Sequence, residues 1–247
     1  MSVSAERDPV STVVAAAGVG LAGFLAGLVF VTFAVSLVGA LVPLAEGSPE
    51  RATVLMLAQY SGILAVAAFY LDASDRSLSY LRVGRPTARD LAWIVAGVLA
   101  LFGTLAAATF VAEQLGLSVT DHSVSQSAAD NPAMLLPLIP LSILITGPVE
   151  ELLYRGVVQT RLKEAFSTAP AVGIAAVVFA AVHVPAYSLG GGSVESLATT
   201  LVVLFVLGGL LGALYEHTGN LLVPAVAHGV YNAVTFAVNY LELTGGL

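Results

Sequence analysis

The chain has no cysteine, one lysine (Lys163), one tryptophan (Trp93) and few charges: 10% of its 247 residues are Asp, Glu, Lys or Arg. The missing cysteines exclude disulfides, thiolate nucleophiles and thiolate zinc sites, and leave the redox compartment unread. The missing charge excludes more. A soluble domain carries about 25% charged residues, and this chain has too little polar surface to coat a soluble fold of its length. Its formal net charge is −7, and no basic tail or patch is present, so nothing in it suggests nucleic acid as a partner.

What is there is apolar: 57% of the residues are hydrophobic and the mean hydropathy is +0.92. A membrane-spanning helix needs roughly 20 apolar residues. Such runs fall at about 11–43, 52–71, 91–116, 133–148 (continuing helically to about 166), 169–188, 197–216 and 220–241. The expectation is an all-α, polytopic transmembrane helical bundle forming a single membrane domain over 1–247. It has seven spans, or eight if 133–166 divides near Gly147-Pro148. The N-terminal MSVSAERDPV has no positively charged signal head, and the run after it is too long for a signal peptide, so it reads as a retained first span. Arg7, Arg76, Arg82, Arg85, Arg89, Arg161 and Lys163 fall on alternate loops, whereas the intervening loops hold Arg51 and otherwise none: 118–132 and 189–196 contain no Lys or Arg. The positive-inside rule then places the N-terminus and residues 72–90 in the cytoplasm of a multi-pass cell-membrane protein.

Against that background, the stretch VEELLYRG (149–156) is out of place. A charge at the centre of a membrane helix costs about 2.5–3.5 kcal/mol on insertion scales, and Glu150, Glu151 and Arg155 occur together. One reading is a cytoplasmic helix continuation with an ordinary i,i+4 pair between Glu151 and Arg155. Two further features weigh against it. His183 follows a run of small apolar residues, with Phe179 one turn before it. His228 and Asn232 lie four apart and project from one helix face. Buried polar groups are costly unless they satisfy one another or line water, so the economical arrangement is one shared polar cavity.

This set permits hydrolysis. A carboxylate and an imidazole can hold and deprotonate a water, and a second histidine with an asparagine can donate to a developing oxyanion. The same donors can instead ligate a metal. No HExxH, no GxSxG and no Gly-Asp pair of the aspartyl type is present. A serine reading rests only on Gly191-Gly192-Ser193 with His228, and that stretch also reads as a flexible loop.

Together the three elements resemble the signature of the CAAX protease and bacteriocin-processing family of intramembrane proteases, also called the Abi family, whose pattern runs EExxxR, FxxxH, HxxxN. Here it reads Glu150-Glu151-Leu152-Leu153-Tyr154-Arg155, Phe179-Ala180-Ala181-Val182-His183 and His228-Gly229-Val230-Tyr231-Asn232. The resemblance covers a catalytic core of about 133–241, and the spans within about 11–116 match only as generic membrane helices. It implies a cavity among the motif-bearing helices, open to the cytoplasm and laterally to lipid. It also implies roles: Glu150 as general base, His183 as its partner, His228 and Asn232 as the oxyanion site, and Glu151, Arg155 and Phe179 in support. Members are commonly called metalloproteases, which would make Glu150, His183 and His228 ligands of a divalent ion such as zinc. A glutamate-type mechanism without metal needs the same residues, and both stay open. The implied partners are membrane lipid and a peptide or protein substrate, prenylated in the family's eukaryotic members; the oligomeric state is not readable.

The competing functional class is a non-enzymatic membrane protein, such as an immunity factor, scaffold or small transporter, whose polar cluster only holds helices together. Among lesser candidates, Tyr154, Asn239 and Tyr240 read as interfacial anchors. Glu113 and the Glu216-His217 pair read as solvated helix ends, Asp121 and His122 as loop residues without a role, and Pro185 and Pro224 as kinks beside the two histidines.

Overall fold

The computed structural model describes residues 8–120, 122–189 and 192–247. Arg7, Asp121 and Gly191 lie outside them. Among the described residues there is no strand, and nine helices follow one another: α1 Pro9–Gly39, α2 Pro49–Ala73, α3 Ala88–Gln114, α4 Ser123–Ala128, α5 Pro132–Leu162, α6 Thr168–Val182, α7 Val184–Ser188, α8 Val194–Thr218 and α9 Leu222–Thr244. Helices α1, α2, α3, α5 and α8 are long and apolar enough to cross a membrane, and α6 is a shorter apolar helix. Helix α9 has 23 residues but carries His228, Asn232 and Asn239. The all-helical expectation therefore holds, with the seven apolar runs recovered as helices. The 133–166 stretch is one helix rather than two segments. Gly147-Pro148 sits inside it between two π-helical turns, Ser142–Thr146 and Leu152–Gln159.

Alternating helix directions sort the loops onto two faces. On one, Arg76 pairs with Glu164 at 2.7 Å and Arg82 with Glu216 at 2.8 Å, while Lys163 also contacts Glu216. These pairs lash the loop between α2 and α3 to the ends of α5 and α8. The Arg82 carbonyl accepts from Leu221 N at 3.0 Å, which brings the start of α9 to the same face. Arg85 and Arg89 are exposed there too. The opposite face gathers residues 40–48, 115–120, 122–131 and 192–193, with Thr120 bonded to Thr200 and Ser196. Glu216 is thus a half-buried clamp and not the solvated helix end expected, whereas His217 is exposed at that end, as expected, with its ring edge-on to Trp93.

Lipid tails are as apolar as leucine, so helices in a bilayer associate by close packing rather than by hydrophobic drive. The sequence supplies that packing with small residues. The buried positions of α1 are Thr12, Ala16, Gly20, Gly23 and Gly27, whereas Leu21, Leu25, Val29 and Phe33 face outward. Gly27 abuts Gln59, and a Cβ on Gly62 would sit 2.6 Å from the Ala26 backbone. The closest crossing is between α5 and α9. A Cβ on Gly147 would lie 2.3 Å from the Ala225 carbonyl oxygen, and one on Gly229 would lie 2.7 Å from that of Ser142. Only glycine permits this approach, and it carries His228 to α5.

Candidate active site

Helix α5 presents its two glutamates in different directions. Glu151 and Arg155 are 0% and 1% exposed. Their contact, Arg155 Nη1 to Glu151 Oε1 at 2.7 Å, is the i,i+4 pair expected from the sequence, but it lies in the core and not at a solvated surface. Glu151 Oε1 also accepts from His228 Nδ1 at 2.8 Å, a contact the sequence reading missed. Arg155 Nη2 donates to the Gly208 carbonyl at 2.9 Å, and the guanidinium lies 4.7 Å from the Phe179 ring centre. The pair therefore ties α5 to α8 and α9. Gly208 leaves room for it, since a Cβ there would stand 3.1 Å from Phe179 and 3.5 Å from Arg155 Nη2.

Glu150 instead faces a cavity of about 480 Å³, which is also lined by His183, His228 and Asn232. The four residues expected to act together do converge. Glu150 Oε1 accepts a hydrogen bond from the Tyr60 hydroxyl at 2.7 Å, and Glu150 Oε2 lies 3.9 Å from His228 Nε2. Tyr60 belongs to α2 and was absent from the expected site. Its only sequence signal is a hydroxyl in the middle of an apolar run, where a polar group needs a partner.

The histidine contacts fix their tautomers. A carbonyl oxygen only accepts, so the 2.7 Å contact between His183 Nδ1 and the Phe179 carbonyl puts a proton on Nδ1 and leaves the Nε2 lone pair free. Helix α6 ends at Val182, and Pro185 opens α7 after the break at His183. The break therefore sets the imidazole at a helix end, with its ring 4.5 Å from that of Phe179. His228 Nδ1 likewise donates, to the Glu151 carboxylate. Its Nε2 carries a proton only in the imidazolium form. Pro224 lies in the first turn of α9, where proline is tolerated.

Several expectations change. Tyr154 is no interfacial anchor: it is 3% exposed and meets Phe179 edge-on at 5.3 Å. His122, given no role, lines the cavity. Ser193 is not among the lining residues; its Oγ accepts from Ser196 N at the start of α8, which removes the basis for a serine dyad. The site also exceeds 133–241, because Leu28, Gln59 and Tyr60 of α1 and α2 and Leu101 of α3 line it. Leu81, Leu153, Val157, Val158, Leu162 and Tyr215 form a packed layer between the cavity and the basic face. The lining residues of α1, α2 and α5 lie toward the opposite face. The cavity therefore extends from the level of Glu150 away from the basic face.

Among the described residues no three His, Asp or Glu side chains are gathered closely enough to hold a metal ion. As arranged, Glu150, His183 and His228 do not fit one.

The fold and its cavity define a polytopic helical membrane protein with a carboxylate and imidazoles at mid-span. Residues 132–234 match the family described as type II CAAX prenyl endopeptidase, Rce1-like, which bears out the resemblance carried by the three motifs. No curated protein and no solved structure matches the chain.

Proposed function

We propose that the protein is an intramembrane endopeptidase that hydrolyses a peptide bond of a membrane-associated or CAAX-like substrate. The observation that carries the proposal is the contrast between the glutamates: Glu151 is consumed in holding helices, whereas Glu150 faces the cavity with Tyr60 as its hydrogen-bond donor. A carboxylate needed only for packing would be spent like Glu151.

In this reading Glu150 and the Nε2 lone pair of His183 hold a water. Glu150 takes its proton as the oxygen attacks the scissile carbonyl carbon. The oxyanion is met by the Asn232 amide and by His228 Nε2–H in the imidazolium form. As the C–N bond breaks, Glu150 returns the proton to the leaving amine. Glu151 holds His228 in register, and Arg155 balances the charge. No step is routed through a metal. The basic face is taken as cytoplasmic, so the cavity extends from mid-depth toward the other side of the membrane.

The test is cleavage of quenched-fluorescent peptides, prenylated and plain, by detergent-purified wild type and Glu150→Gln, each with and without a chelator. Wild type is expected to cleave whether or not chelator is present. Glu150→Gln is expected to lose about 10²–10⁴-fold in kcat, the worth of a general base. Cleavage by Glu150→Gln at the wild-type rate overturns the assignment, and chelator loss restored by zinc overturns the metal-free route. Panels on which wild type is inert favour a non-enzymatic scaffold.

A further inference from the structure

A third imidazole borders the cavity from outside the three motifs. His122 caps the N-terminus of α4 in the segment joining α3 to α5. This segment is anchored at both ends. Before His122, Thr120 N donates to Thr200 Oγ1 at 2.8 Å, and Thr120 Oγ1 lies 2.7 Å from Ser196 Oγ. After it, Ala128 is fully buried with Ala52, Met134, Leu135 and Leu138, and Val124 packs on the same cluster. Between the anchors the His122 ring meets Tyr187 edge-on, with centres 5.0 Å apart.

The His122 tautomer is opposite to those of His183 and His228. Its Nδ1 accepts from the Val124 backbone N–H at 3.1 Å. A backbone N–H only donates, so Nδ1 carries no proton and the neutral ring bears its hydrogen on Nε2. Burial, reinforced by His183, pushes the imidazole down to about 4, so the ring is neutral near pH 7. Its Nε2–H has no hydrogen-bond partner among the described residues. The cavity is thus bordered by a neutral donor in addition to Glu150 and His183, and among the described residues no Lys or Arg lines it.

We infer that His122 binds substrate, its Nε2–H donating to a main-chain carbonyl of an extended, uncharged peptide segment lying in the cavity. The inference rests on the endopeptidase reading. A protease must hold its substrate unwound, and an unwound carbonyl in an apolar cavity goes unsatisfied unless the wall supplies a donor. The wall is mostly apolar, with Leu28, Val31, Leu55, Leu138 and Leu204 among its residues. A carboxylate would call for a Lys or Arg, which the wall lacks among the described residues, whereas a neutral N–H matches an amide oxygen.

The discriminating variant is His122→Asn. Asparagine is among the best N-cap residues, so it keeps the bond to Val124 N–H, but its side chain is shorter and its amide N–H₂ stops short of the place that His122 Nε2 occupies. With the full-length protein in detergent, His122→Asn is expected to keep the wild-type melting temperature. It should raise KM about five- to tenfold, the worth of one hydrogen bond, with kcat little changed. A purely structural His122 predicts wild-type KM for His122→Asn and lost stability for His122→Ala, and that result overturns the inference. A second measurement does not depend on cleavage. The chain has four histidines, so ¹⁵N-histidine spectra, assigned by the signal lost in His122→Asn, report each ring. The neutral Nε2–H form is expected at pH 7, and an Nδ1–H form or an imidazolium overturns the inference. A wild type that cleaves nothing counts against the endopeptidase reading, while the tautomer still decides whether His122 can donate.

Discussion

Two adjacent carboxylates on one helix serve opposite ends. Glu151 sits where burial is complete, and it is tolerable there because Arg155 and His228 both donate to its Oε1. Its Oε2 has no partner among the described residues, so the pair has little to spare. Breaking a buried ion pair from one side costs about 3–5 kcal/mol, because the remaining charge is left uncompensated. Arg155→Met is therefore expected to lose about that much stability in thermal unfolding in detergent, and adding Glu151→Gln is expected to restore part of it. A loss within about 0.5 kcal/mol for the single variant would show that the pair is not what joins α5 to α8. The i,i+4 spacing to Arg155 already set Glu151 apart from Glu150 in the sequence, and the resemblance added the catalytic role of Glu150. That His228 belongs to the Glu151 network as well as to the cavity was not legible, because it depends on how α9 crosses α5.

That crossing is the decisive feature at the scale of the elements. Gly147 and Gly229 let two backbones touch, and the neighbouring positions then carry Glu150, Glu151 and His228 into contact. A methyl group on Gly147 meets a carbonyl oxygen, which cannot swing aside as a side chain can. Gly147→Ala is expected to lower the melting temperature and to abolish cleavage by parting His228 and Asn232 from Glu150. Gly103→Ala on α3, where a Cβ meets nothing within 4 Å, is the control and is expected to be silent or slightly stabilising. An unaffected Gly147→Ala would mean that α9 does not need that approach. The π-helical turns on either side of Gly147–Glu151 rotate the helix and are common at functional sites. Neither they nor the break of α6 at His183 has a sequence signature beyond the prolines at 140, 148 and 185.

For the whole molecule the open matter is which side of the membrane the cavity meets. Six described basic side chains stand on one face, Arg155 is buried within the bundle, and Arg51 lies toward the other face. The absence of cysteine makes the orientation directly measurable. Single cysteines at exposed Ser79, on the basic face, and exposed Ser127, on the opposite one, are compared in intact cells with a membrane-impermeant maleimide. Ser127→Cys is expected to label at once and Ser79→Cys only after permeabilisation. The reverse pattern would turn the basic face outward and the cavity toward the cytoplasm. Equal labelling of both would contradict the alternation of seven helices.

The sequence by itself determined the class of the protein, its seven apolar helices and the four residues that meet at the cavity. Those follow from hydropathy over single helices and from spacing along one helix face, both local properties of the chain. Tertiary structure decided what spacing cannot encode: the Tyr60 donor from α2, the sharing of Glu151 between Arg155 and His228, the burial of Tyr154 and the entry of His122 into the cavity wall. Each depends on helices distant in sequence meeting at depth. In a bilayer that meeting is set by where small residues allow backbones to approach, because hydrophobicity no longer distinguishes a neighbouring helix from lipid.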